Sequence, residues 1–213
     1  MRIKMLKHDG VFQYEAIVLD IHRTMAESPI ENKRLSTWIS LVEKNVDLIG
    51  IHENEEMKQN LRNKYRGDML EIFAEFFFRN QPLDNRFGLK DYTLCDPSKD
   101  YGCDATGINC KGKKCAVQIK YRANPMPKGD DQITYNMISN TVSDGLYKHQ
   151  CDLFEPDTIF LLTTASRNSL AHTIDDFYGN HMVYLCKEQL ESVVNGHEIF
   201  WQQLYATISD SIN

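Results

Sequence analysis

An α/β fold with a mixed central sheet is what this sequence predicts, on three observations. Apolar side chains recur at helical spacing in several segments, clearest in Met57, Leu61, Tyr65, Met69, Ile72, Phe73 and Phe76. Two short strands flank a Lys/Gly turn around residue 112. An apolar run, Thr158-Ile159-Phe160-Leu161-Leu162-Thr163, reads as a buried strand. From the long helix onward the order is helix, strand, hairpin, helix, strand, strand and two helices, which is a layered α/β arrangement.

The bulk numbers set the outer limits. A chain of 213 residues and 24.7 kDa fits one domain, or one domain with a smaller helical appendage. At 42% hydrophobic and 25% charged residues it buries enough surface to fold without disulfides or a metal clip. Thirty acidic against 24 basic side chains give a net charge of −6, which argues against a highly basic nucleic-acid packaging protein. It does not argue against a nuclease, where local charge decides. No run of 18 apolar residues suggests a membrane span, and the basic start, residues 1–9, lacks the apolar stretch of a secretory signal. Six cysteines are expected as reduced thiols in an intracellular setting, cytoplasmic or nucleoid-associated, or in an intracellular viral role.

Taking the elements in order, residues 11–25 predict a helix rich in apolar side chains, among them Phe12, Ala16, Val18, Leu19 and Ile21. Ser28-Pro29-Ile30-Glu31-Asn32 predicts a turn, because Pro29 biases Ser28 away from the helical region. A second helix over 33–46 places Leu35, Trp38, Ile39 and Val42 on one side. Residues 1–60 therefore read as a helical extension, a dimerisation or DNA-contact arm, and residues 61–213 as the main domain. A longer helix over 54–78 takes Asn54 as its N-cap. Asp68, Glu71 and Glu75 share a neighbouring face of it. Gly67 interrupts the pattern, and marks a helix start or a close backbone approach.

Between 81 and 100 the periodicity vanishes, and Pro82, Asn85, Gly88, Asp96 and Pro97 suggest loops around one short strand at 92–94. The stretch Tyr101-Gly102-Cys103-Asp104 then leads into the hairpin, whose second strand carries Gln118, Lys120 and Arg122 on one face and Val117, Ile119 and Tyr121 on the other. A helix over 131–148 has the stripe Ile133, Met137, Ile138, Val142 and Leu146. The strands at 158–163 and 181–185 and helices at 187–194 and 197–209 complete the chain.

Asp104, Gln118 and Lys120 carry the chemistry, and their pattern resembles the PD-(D/E)xK phosphodiesterase signature. The closer similarity is to the Mrr-like branch of restriction endonucleases, where a glutamate-bearing helix precedes Gly-x-Asp, a hairpin and Gln-x-Lys. Here these are Glu71, then Gly102-Cys103-Asp104, then Gln118-Ile119-Lys120. The resemblance covers roughly residues 65–190. It implies a restriction-endonuclease-like core in which Glu71, Asp104 and Gln118 hold Mg²⁺, with Mn²⁺ able to substitute, and Lys120 assists the water. It also implies a homodimer, since cutting both strands takes two sites. Residue chemistry is compatible with those roles: Asp104 offers a hard anionic oxygen, Gln118 a neutral carbonyl, and Lys120 a cation on the same strand face. Cys103 stands where the family often has proline, and Gln118 removes one carboxylate. Glu75, one turn after Glu71, is its rival as helix ligand.

Residues 105–129 hold five Lys and one Arg with no acid, a strip suited to phosphates. Lys111, Lys113 and Lys114 at the hairpin tip, Arg122 and Lys128 are the candidate nucleic-acid contacts, with ordinary solvated turn charges as the competing account of the tip. A second metal reading exists: Cys95, Cys103, Cys110 and Cys115 could bind Zn²⁺, although their spacing lacks tight CxxC pairs. No P-loop and no HExxH helix is present. The expectation is a metal-dependent DNA endonuclease without membrane association, with RNA left open as a substrate. The alternative is a non-catalytic nucleic-acid-binding or structural module on the same core.

Overall fold

The computed structural model describes residues 12–49, 53–80, 86–95, 102–122 and 133–212. The chain divides into two compact units, one of Met1–Phe73 with Leu190–Asn213, the other of Ala74–Gln189. The expectation drew its boundary at residue 60 and kept the C-terminal helices with the main domain. By contact the last helices group with the first ones.

The first unit is helical. It contains α1 (Phe12–Glu27), α2 (Leu35–Val46), the greater part of α3 (Glu55–Asn80), the end of α6 (Lys187–Val194) and α7 (Glu198–Ile212). α1 packs on α7 and α2. Aromatic rings fill the centre: Phe73 lies 5.1 Å from Trp38 and 6.1 Å from Trp201 between centroids. The helix ends are satisfied by side chains. Asn54 caps α3, its Oδ1 accepting the Met57 N–H at 2.9 Å. Asn195 Oδ1 does the same for the Leu35 N–H at the start of α2, also 2.9 Å. Buried Lys33 donates to the Ala26 and Ser28 carbonyls, where α1 ends and its dipole favours a cation. Gly67 neither starts α3 nor permits a close approach: the helix runs through it, and an added Cβ would meet nothing within 4 Å.

His22 sits fully buried in this core. One ring nitrogen bonds the Val18 carbonyl at 2.7 Å, and the other accepts the Trp38 indole N–H at 3.2 Å. Both bonds suit a neutral ring, and burial holds its pKa down at about 4, against 6.5 when unfolded. Between those values the unfolded chain takes up a proton that the folded one refuses. Stability is therefore full above pH 6.5 and falls by about 1.4 kcal/mol for each pH unit down to the folded value. Urea unfolding at several pH values should show this slope, and His22→Gln should flatten it.

The second unit is an α/β layer. Its sheet has five strands in the order β1-β2-β3-β4-β5. These are β1 (Lys90–Leu94), β2 (Ala105–Ile108), β3 (Lys114–Lys120), β4 (Ile159–Thr163) and β5 (Met182–Leu185). β1, β2 and β3 pair antiparallel, whereas β3, β4 and β5 pair parallel, so the sheet is mixed as expected. The parallel pair β3/β4 needs a crossover, and α4 (Tyr135–Tyr147) lies in it. Every residue of β4 is buried, which explains its unbroken apolar run. α4 covers the face bearing Ala116 and Gln118, since a Cβ on Gly145 would come within 2.9 Å of the Ala116 Cβ. Phe78 at the end of α3 covers the other face and packs edge-on to Phe160 at 5.8 Å. The sequence did not suggest α5 (Thr173–Tyr178), a short helix with one buried residue, Ile174. No described helix is long and apolar enough to cross a membrane.

Candidate active site

β2 and β3 bring Asp104, Gln118 and Lys120 together. Asp104 lies one residue before β2, and its N–H bonds the Val117 carbonyl at 2.9 Å, which extends the ladder and fixes its backbone. Its Oδ2 accepts the Ile119 N–H at 2.6 Å and the Gln118 side-chain amide. Lys120 Nζ stands 3.9 Å from the same oxygen. Gln118 is buried at 1% exposure, while Asp104 and Lys120 keep side-chain exposures of 23% and 31%. An anion and a cation therefore meet at one end of the sheet, half open to solvent, on a rigid floor.

A residue that the sequence reading missed supports that floor. Thr141 on α4 is fully buried, and its hydroxyl lies 2.6 Å from Gln118 Oε1, 2.6 Å from the Gly102 carbonyl and 3.1 Å from the Met137 carbonyl. All three are acceptors, and a hydroxyl has one proton. The hydroxyl therefore donates to one of them at a time, and the Gln118 amide bridges it to Asp104, its carbonyl facing Thr141 and its NH₂ facing the carboxylate.

Glu71 lies half-buried on the part of α3 that belongs to the first unit. Glu75, one turn on, belongs to the second unit and is 6% exposed. Arg79 pairs with it at 2.9 Å and also donates to the Tyr92 carbonyl at 2.9 Å. That gives Glu75 a structural partner for its charge. Asp68 pairs with Lys64 at 2.6 Å.

The basic hairpin tip is not bare in three dimensions. Lys111 reaches Asp157 at 2.7 Å, and Lys113 reaches Glu155 at 3.3 Å. Lys114 donates through its ammonium to the His149 carbonyl and through its N–H to Asp152. Burial alone would raise the Asp157 carboxyl, but hydrogen bonds from Lys111 and Arg86 outweigh it and hold it below the usual range. Arg122 is half-buried, its guanidinium folded back onto the Tyr121 carbonyl and Met137 sulfur. Thr163 and Thr164 cap the strand ends by bonding the Lys120 and Arg122 backbone. Lys128 lies outside the described residues.

A cleft of about 400 Å³ opens elsewhere in the second unit, with Arg86, Ser166, Arg167, Tyr184 and Glu188 among its lining. There Arg167 grips Asp175 at 2.6 Å and stacks on the Tyr184 ring at 3.8 Å. These groups are paired with one another and do not include the Asp104 constellation. No protein-family model, curated protein or solved structure matches the chain.

Proposed function

We propose that the chain is a divalent-metal-dependent endonuclease that hydrolyses phosphodiester bonds in DNA on a restriction-endonuclease-like core. The observation that carries this reading is the meeting of Asp104, Gln118 and Lys120 at one sheet end. Mg²⁺ is typically held by one or two carboxylates while it keeps several waters and takes substrate phosphate oxygens. Asp104 with the Gln118 carbonyl fits that modest demand, and the family pattern would assign the helix carboxylate to Glu71. When bound, the ion would neutralise charge on the scissile phosphate and polarise the attacking water. Lys120 would orient that water or stabilise the charge developing on phosphorus. Thr141 would position the Gln118 side chain, and a cation held by Asp104 would favour the amide rotamer that turns the Gln118 carbonyl towards it. Hydrolysis of both strands would use a homodimer.

The experiment is a cleavage assay with purified full-length chain on linear, circular, single-stranded and branched DNA, with RNA alongside, in Mg²⁺, Mn²⁺ and EDTA. Thr141→Val should raise the Mg²⁺ concentration for half-maximal cleavage by about 10–100-fold, the usual cost of losing a group that orients a ligand, and Thr141→Ser should restore it. One observation favours a non-catalytic nucleic-acid-binding or structural module: the hydrogen bonds to Asp104 suit a structural strut as well as a ligand. Saturable DNA binding in EDTA without cleavage in either metal would establish that reading in its place.

A further inference from the structure

We propose that the second unit holds a zinc ion between Cys95, Cys103 and His149, a ligand set that shares no side chain with the proposed catalytic site. The three residues come from separate places in the chain. Cys95 directly follows β1, Cys103 lies two residues before β2, and His149 follows the end of α4. Their ligand atoms all lie within 4.8 Å of one another, and among the described residues this is the group that gathers metal-binding side chains so closely. The sequence alone suggested the four cysteines from Cys95 to Cys115. The fold breaks that set, because Cys110 is exposed and the Cys115 sulfur faces the Lys113 carbonyl at 3.2 Å. It supplies a histidine 54 residues from Cys95 in their place.

The distances fit the ion. Zinc–sulfur bonds of about 2.3 Å and zinc–nitrogen bonds of about 2.0–2.1 Å in a tetrahedron place two sulfurs about 3.8 Å apart and sulfur and nitrogen about 3.6 Å apart. Cys95 Sγ is 3.9 Å from Cys103 Sγ and 3.4 Å from His149 Nε2. The Cys103 sulfur also lies 3.1 Å from the Ala105 carbonyl, the partner of its thiol proton in the metal-free form. Two thiolates and an imidazole select zinc over magnesium, so the donor chemistry sorts two ions into two places. Cys95 and His149 are half-exposed, which leaves a fourth position open to a water ligand from that side. On binding, the two thiols release their protons to the medium.

The position gives the ion a structural role. Cys103 precedes Asp104 in the chain, and the Cys95 N–H donates to the Asp104 carbonyl at 2.9 Å. Zinc at this point clips the end of β1 and the end of α4 to the backbone of Asp104. Lys114 steadies the same place by donating to the His149 carbonyl at 2.5 Å. None of this depends on the nuclease reading, and the test needs no substrate.

The test is metal content of the full chain, purified under reducing conditions from zinc-supplemented cells, followed by exchange with Co²⁺. Stoichiometric zinc is expected. The cobalt form should show tetrahedral d–d bands and a thiolate-to-metal charge-transfer band. Cys95→Ser and His149→Ala, both at half-exposed positions, should each lose the metal while retaining cooperative unfolding, and Cys110→Ser should keep it. Stripping zinc with a chelator should lower the melting temperature, and adding Zn²⁺ back should restore it. Metal-free reduced protein that binds no added Zn²⁺, a Cys95–Cys103 disulfide in place of metal, or zinc retained in both variants would overturn the proposal. Should either variant fail to fold, the cobalt spectrum of the unmodified chain decides: bands without thiolate character refute the site.

Discussion

Asp104→Asn is expected to abolish metal-dependent DNA cleavage, and Lys120→Ala to slow it by about 10²–10⁴-fold, the usual contribution of a positioned proton-transfer or charge-stabilising group. Asn is the informative replacement at 104. It keeps an oxygen to accept the Ile119 N–H at 2.6 Å, whereas Ala would strand that buried donor at a cost of about 1–3 kcal/mol. Asn removes the anionic oxygen, which Gln118 cannot replace. Lys120→Ala acts differently, because its ammonium lies 3.9 Å from Asp104 and its loss should leave metal affinity intact or improved. The two variants thus separate in a metal titration: one loses affinity and rate, the other rate alone. Single-turnover cleavage across Mg²⁺ concentrations, with DNA binding by anisotropy as a control, reads both. Unchanged cleavage in either variant would show that this is not the active site. Glu71→Gln and Glu75→Gln, run beside them, assign the helix carboxylate; the Arg79 partner of Glu75 makes its variant a stability change first.

The order of elements was legible because local patterns are enough for it. The fully buried β4 shows an unbroken apolar run, and Asn54 announces α3 by capping it. Asp104, Gln118 and Lys120 were legible as a trio because a hairpin joins them, and antiparallel pairing of β2 with β3 is fixed by the turn. What stayed hidden depends on long-range packing. The apolar stripe of α7, with Trp201, Leu204 and Ile208, says that the helix is buried but not that α1 is its partner. Thr141 sits within an ordinary helical stripe, 23 residues from the Gln118 to which its hydroxyl bonds. The acid-free strip looked open to phosphates because Asp157, which neutralises Lys111, lies 46 residues away. His149 is hidden from the cysteine spacing for the same reason: it comes beside Cys95 only through the crossover that contains α4. β1 begins earlier than its apolar residues suggest, since a bulge between Lys90 and Thr93 carries Asp91 at a φ of 53°.

Phe160→Ala should destabilise the sheet-bearing unit by about 3–5 kcal/mol, the largest single stability change expected outside the proposed metal sites. Phe160 has no exposed surface, and its strand lies between two parallel neighbours in the sheet. Its ring meets Phe78 edge-on at 5.8 Å, and Phe78 in turn stacks on Tyr92 at 5.3 Å. Truncation therefore removes both the transfer energy of a ring and one member of an aromatic chain, and the backbone ladders on either side hinder collapse of the cavity. Against a typical total of about 5–15 kcal/mol, that loss is a large fraction. Phe154→Ala provides the matched control. Its ring is 82% exposed, so the same chemical change should cost less than about 0.5 kcal/mol. Chemical denaturation of the two variants measures the difference directly. Equal midpoints would mean that the β4 core does not carry the stability of this unit. A Phe160→Ala protein that lost cleavage at 37 °C but regained it in the cold would tie the activity to the sheet that supports Asp104 and Lys120.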